Sequence, residues 1–93
     1  MVIGNSILYH DGDYVFTGYT VRNDTAFSLI TKLDIEGEVI WETLWLDNFY
    51  YRQVIETPDS GLAVCGYENN FFRIKKFNME GEELFSWLFN MEG

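Results

Sequence analysis

Along this chain short apolar runs alternate with polar clusters rich in Gly, Asp and Asn, and no window carries the 3.6-residue period of an amphipathic helix. The pattern predicts eight strands and no substantial helix. They are Ser6–Tyr9, Tyr14–Thr20, Ala26–Leu33 and Val39–Leu46, then Arg52–Thr57, Leu62–Glu68, Phe71–Phe77 and Glu83–Phe89. The punctuation has a mechanism. Asp34-Ile35-Glu36-Gly37 and Asn78-Met79-Glu80-Gly81 both end on glycine, where a type I hairpin turn closes with a left-handed residue. Asp11-Gly12 and Asp59-Ser60-Gly61 mark two further hairpins, with Pro58 fixing a φ angle in the second. Tyr14-Val15-Phe16, Leu62-Ala63-Val64-Cys65 and Val39-Ile40-Trp41 contain no polar residue. Such runs predict burial on both faces, as in a sheet held between neighbouring sheets.

The two halves of the chain repeat one another, a feature that outranks any local assignment. Asp11-Gly12-Asp13-Tyr14-Val15-Phe16-Thr17-Gly18-Tyr19 returns as Asp59-Ser60-Gly61-Leu62-Ala63-Val64-Cys65-Gly66-Tyr67, an offset of 48 (59 − 11), and Ile7 is expected to match Ile55 at the same offset. Lys32-Leu33-Asp34-Ile35-Glu36-Gly37-Glu38-Val39-Ile40-Trp41 returns as Lys76-Phe77-Asn78-Met79-Glu80-Gly81-Glu82-Glu83-Leu84-Phe85, an offset of 44 (76 − 32). The pairs Phe27/Phe71, Ile30/Ile74 and Leu44/Leu88 keep that offset. The difference falls on one polar connection, Thr20-Val21-Arg22-Asn23-Asp24-Thr25 against Glu68-Asn69-Asn70. A gap confined to a turn marks a duplication. The chain is therefore read as one all-β domain, 1–93, of two four-stranded antiparallel units, 1–48 and 49–93. Gly18/Gly66, Gly37/Gly81 and Trp41/Phe85 are its paired structural positions, with Trp41 and Phe85 expected to be mostly buried.

The pattern Asp-Gly-x-Tyr-Val-x-x-Gly-Tyr-Thr followed by Phe-x-Leu-x-x-Lys-Leu-Asp-x-x-Gly-x-x-x-Trp resembles the repeat of bacterial β-propeller proteins, secreted and cell-surface proteins among them. Leu33-Asp34, Gly37 and Trp41 are also similar to the blade motif of quinoprotein-like propellers, whose tryptophan docks between blades. The resemblance spans nearly the whole chain twice. Copy one departs from it at Asp13, and copy two at Ser60 and Phe85. It implies two propeller blades and no catalytic residue.

Propellers close with roughly four to eight blades, so two alone leave an apolar face at each end. Self-assembly, membership of a longer array, or another packing would each resolve this. Two whole units in phase favour a ring of identical subunits, a trimer of six blades first and a tetramer of eight second. Small two-bladed lectins that trimerise are similar in architecture, although none of their motifs is present.

Fifteen acidic residues against six basic ones give a net charge of −9, which opposes binding to nucleic acid or anionic membranes. The acids are spread along the chain without a run, as solvated surface charge is. Met1-Val2-Ile3-Gly4-Asn5 lacks the basic and apolar regions of a signal peptide, and no apolar run is long enough to span a bilayer. A cytoplasmic location is expected for the chain as it stands; a piece of a secreted or cell-surface protein would look the same. Cys65 is the only cysteine and is expected to be a buried, inert thiol.

Candidate chemistry is sparse. His10 is the only histidine, which removes a His-based triad or a multi-histidine zinc site within one chain. Glu36/Glu38 and Glu80/Glu82/Glu83 flank turns, where charge is solvated, and Asp11-Gly12-Asp13 matches no full calcium loop. Asn23-Asp24-Thr25 fits a glycosylation sequon. Arg52, Arg73, Lys75 and Lys76 are expected to be cross-strand partners for the acids. No cofactor, metal or catalytic residue is predicted. The expected ligand-binding residues are Tyr50, Tyr51 and Trp45, aromatics that could stack on a sugar or a peptide, and Arg52, a base that could meet an anionic group, while Trp41 is expected to pack. The expected function is a non-catalytic binding or scaffolding module; the alternative is a small acidic inhibitor that occupies a basic groove on its target.

Overall fold

All eight strands form. The computed structural model describes residues 2–47, 49–68 and 70–90, and these contain strands and turns without helix. Met1, Asn69 and the other remaining positions lie outside the described residues. The strands are β1 (Val2–His10), β2 (Asp13–Arg22), β3 (Thr25–Leu33) and β4 (Val39–Trp45), then β5 (Tyr50–Glu56), β6 (Leu62–Glu68), β7 (Phe71–Phe77) and β8 (Glu83–Asn90). They make two antiparallel sheets with consecutive order, β1-β2-β3-β4 and β5-β6-β7-β8. Among the described residues no helix is long and apolar enough to cross a membrane.

Each repeat closes on the same turn. Asp34 Oδ1 accepts hydrogen bonds from the N–H groups of Glu36 and Glu38 at 2.9 Å each, and Asn78 Oδ1 accepts them from Glu80 and Glu82 at 3.0 Å each. The side chain thus ties the turn that the backbone bonds Gly37 N–H to Asp34 O and Gly81 N–H to Asn78 O close. Gly37 and Gly81 hold φ at +88° and +86°, which a side chain would strain. A bulge follows in both copies, between Lys32 and Leu33 and between Lys76 and Phe77.

The pairing register refines the repeat. Leu8 pairs with Val15, and Ile55 pairs with Ala63, the residue equivalent to Val15. Leu8, rather than Ile7, is therefore the counterpart of Ile55. The cause is loop length: four residues lie between the paired Tyr9 and Tyr14, and five between the equivalent pair, Glu56 and Leu62. The shorter connection in copy two is also a strand effect. β2 and β3 run on to the Arg22–Thr25 pair around an Asn23-Asp24 turn, while β6 and β7 stop at Glu68–Phe71. Two residues are lost from each strand, and an even step keeps every remaining side chain on its own face.

The sheets stack face to face, with β5 lying beside β1 and β2. Val15 and Ile30 of the first sheet meet Tyr51, Val54, Leu62, Val64 and Phe77 of the second, all buried, with Leu8, Trp41, Trp45, Phe49 and Met79 packed around them. Alternation along β4 turns Trp41, Thr43 and Trp45 towards the second sheet. Trp41 Nε1–H donates to Met79 O (2.9 Å) and Thr43 Oγ1–H to Gly81 O (2.6 Å), so β4 grips the β7–β8 turn. At the inner edge Val54 N–H donates to Ser6 Oγ.

Burial on both faces fails for part of the expected set. Val39 and Ile40 are exposed, and Phe85, which pairs with Lys76 as Trp41 pairs with Lys32, is 45 % exposed. Its position is equivalent to that of Trp41, but no sheet lies over β8 as the second sheet lies over β4.

The basic residues expected as cross-strand partners behave so in part. Lys75 Nζ meets Glu83 (3.0 Å) and Lys76 Nζ meets Asp59 (2.9 Å), both lysines being buried. Hydrogen bonds from Thr57 and Lys76 hold the Asp59 carboxyl below its usual range. A carboxylate depressed in the folded state adds stability above its unfolded pKa and loses it as pH falls through the folded value. Asp59→Asn should therefore slightly flatten the acid limb of stability against pH, as read from urea midpoints. An unchanged limb would mean that the pair contributes nothing.

Candidate functional site

A cleft of about 540 Å³ opens where the β2–β3 hairpin faces the β4–β5 connection. Gly18, Tyr19, Ala26, Phe27 and Ser28 form one wall, and Asp47, Phe49, Tyr50, Tyr51 and Glu68 form the other. The long arms of β2 and β3 build the first wall.

The connection is pinned by Asp47. Its Oδ1 accepts the Phe49 N–H (3.1 Å) and its Oδ2 accepts the Tyr51 hydroxyl (2.6 Å). Burial raises the Tyr51 phenol above its ordinary pKa, and the hydrogen bond to Asp47 adds to the shift, so this hydroxyl stays protonated and acts as a donor. The Arg73 guanidinium lies 5.1 Å from the centre of the Phe49 ring and packs on its face. Tyr50, the next residue in a strand that alternates, points outward and is 60 % exposed at the rim.

The structure separates the four expected ligand-binding residues. Tyr50 lines the cleft and is open to solvent. Tyr51 also lines it but is almost fully buried, its ring 5.0 Å from that of Trp45. Trp45 is core: it packs 5.6 Å from Phe77 with Lys75 Nζ 5.5 Å from its ring. Arg52 is exposed outside the cleft lining, 5.5 Å over Tyr67. Tyr19, Phe27, Asp47, Phe49 and Glu68 also line the cleft and are not among the expected ligand-binding residues. The available signal was the extra hairpin length beside Tyr19 and Phe27.

Among the paired glycines, Gly66 has a packing reason. A Cβ there would stand 2.7 Å from Tyr50 O and 3.0 Å from Tyr51 Cδ1, so the glycine lets β5 pass close by. Gly18, its counterpart, pairs with Gly4 and Leu29.

His10 Nδ1 lies 2.8 Å from Glu56 Oε1, and its Nε2 lies 3.5 Å from Asp11, a link between the two sheets at the surface. Among the described residues no group of three or more His, Cys, Asp or Glu side chains could hold a metal ion. Cys65 is partly exposed on the outer face of the second sheet rather than buried, and desolvation raises its thiol pKa. The cleft can stack and hydrogen-bond a ligand. No protein-family profile matches the chain, and no curated protein is detectably similar to it.

Proposed function

We propose that this chain is a non-catalytic binding module of β-propeller type, which works as a closed ring of copies and takes its ligand in the cleft between the sheets. The observation that carries the reading is the lining of that cleft. Tyr19, Phe27, Phe49 and Tyr50 offer ring faces and edges, and Asp47 and Glu68 offer acceptors. Such a wall suits a partner with a flat apolar surface and hydrogen-bond donors, as a sugar ring or a peptide side chain has. Pre-formed walls on two hydrogen-bonded sheets favour binding with little ordering cost. The ring reading draws support from the stacking of the two sheets, whose relation one further copy can repeat. A head-to-tail contact closes when its rotation divides the circle, which for six or eight blades means three or four chains, the trimer first.

The test is binding to glycan and peptide arrays, with Tyr50→Ala as the control. Tyr50 is exposed, so its loss leaves the fold intact and should weaken binding by about tenfold, the equivalent of one aromatic contact. A ligand retained at full affinity by Tyr50→Ala does not use the cleft. Capture of a basic protein that is lost on adding salt would instead support the acidic inhibitor.

A further inference from the structure

Resting on the ring reading, we propose that the outer face of β8 docks on the β3–β4 turn of a second copy of this chain, with Phe85 and Trp87 seated against Gly37 and Ile35. The interface between the two sheets of one chain supplies the template. There, Trp41 and Thr43 of β4 hold the turn that contains Met79 and Gly81. Gly81 is in contact with the Trp41 ring, since a Cβ built on it would stand 2.6 Å from that ring.

Both halves of this contact recur, unpaired, at opposite ends of the molecule. On β8, the positions of Trp41, Thr43 and Trp45 are held by Phe85, Trp87 and Phe89, as the pairings of β4 with β3 and β8 with β7 establish. Three aromatic rings on one outer strand face, each close to half exposed, are costly to leave in water. Phe85 and Trp87 are already locked together edge to face, 4.4 Å between ring centroids. Ile55 and Tyr67, the counterparts of Leu8 and Tyr19, extend the same exposed apolar face.

At the other end, the Asp34–Gly37 turn has the hydrogen bonds of the Asn78–Gly81 turn and a glycine φ only two degrees different (88 against 86). A Cβ on Gly37 would meet nothing within 4 Å. Ile35 takes the place of Met79 and is 67 % exposed, where Met79 packs on the core. Ile7 stands where Val54 stands and is 66 % exposed, where Val54 is buried. The socket is therefore formed before anything fills it. A second copy is the occupant because this chain contains the surface that already fits the equivalent socket.

The contact is apolar and joins copies that each carry −9, so salt should strengthen it by screening their repulsion. This is the opposite of the salt response of an acidic chain docked on a basic one.

Two variants test the proposal, F85D/W87D on one face and I7D/I35D on the other. All four positions are exposed in the single chain, so both variants should keep the far-ultraviolet circular dichroism and cooperative melt of the wild type. Light scattering coupled to size exclusion should give a ring for the wild type and a monomer for each variant. Mixed at high micromolar concentration, the variants should form a one-to-one heterodimer and nothing larger, because each retains the face that the other lacks. Cys65 gives an independent readout. It occupies the position of Thr17, which is fully buried between the sheets, so its labelling by a thiol reagent should be at least tenfold faster in either monomer than in the ring. A monomeric wild type overturns both the ring and this contact. A wild-type ring that both variants still form overturns the contact alone, as do variants that stay apart when mixed.

Discussion

Trp41→Ala is expected to lower the unfolding free energy by about 3 kcal/mol, the low end for removing a large aromatic from a packed site. The ring is half-buried, lies on Gly81 and donates to Met79 O, so the substitution opens a cavity and leaves that carbonyl without its indole partner. Phe85→Ala, at the equivalent position of the second sheet, should cost the single chain no more than about 0.5 kcal/mol. Urea titrations at several protein concentrations separate the two effects. The Trp41 loss should be independent of concentration, because the contact is internal. The Phe85 loss should grow with concentration if neighbouring copies cover it. Equal losses for both at high dilution would mean that Phe85 is buried within the single chain, against the geometry described.

Gly81→Ala should destabilise by about 3 kcal/mol, and Gly37→Ala by only about 1 kcal/mol. Both residues hold a left-handed φ, where a Cβ costs roughly 1–2 kcal/mol. Only at Gly81 does the new methyl group also collide with a ring, which must leave its position at an overpacking cost of about 1–3 kcal/mol. The comparison holds turn type and hydrogen bonding constant, so the difference between the variants reports the contact between sheets. Indistinguishable midpoints would show that Trp41 yields to the extra methyl without cost.

The hairpin turns were legible because their chemistry is local. A glycine three residues after Asp34 or Asn78 states the turn type, the bulge and the strand on either side, whatever the tertiary packing. The duplication was legible for the same reason, since each copy carries its own turns. Strand ends were less so. Val21 and Arg22 look like part of a polar connection, yet they extend β2 because an Asn23-Asp24 pair can take positive φ at both positions (51° and 63°) and turn in two residues. The match of Ile7 with Ile55 failed because Ile7 and Leu8 are both apolar, and only pairing tells which of them faces the core.

The cleft was legible in one residue of its rim. Tyr50 and Tyr51 stand side by side in the sequence, and alternation sends one outward and one inward without the sequence saying which. Trp45 carries the same ambiguity, resolved by the sheet that covers it. Asp47 acts through two hydrogen bonds to residues two and four positions ahead, a geometry that exists only once the chain has turned into β5. Burial of Phe85 was expected from its equivalence to Trp41 in the repeat, and such an equivalence records what a strand is built to touch, even where the single chain does not supply it.

The even-numbered difference between the two hairpins has a consequence for symmetry. The β2–β3 arm outreaches the β6–β7 arm by two residues in each strand, roughly 7 Å at the rise of an extended chain. Of the cleft lining only Ala26 lies in that extra length. The reach therefore extends the wall on one side of each chain, while Gly66, Tyr67, Phe71 and Phe72, the counterparts of Gly18, Tyr19, Phe27 and Ser28, lack the extension. In the proposed ring, tall and low arms would alternate around the rim, so the rotational order of the assembly would follow the number of chains rather than the number of repeats. Ligand stoichiometry should do the same, with one equivalent bound per chain. Shortening the tall arm by a matched pair of deletions would make the two halves of each chain alike and should abolish saturation at that ratio.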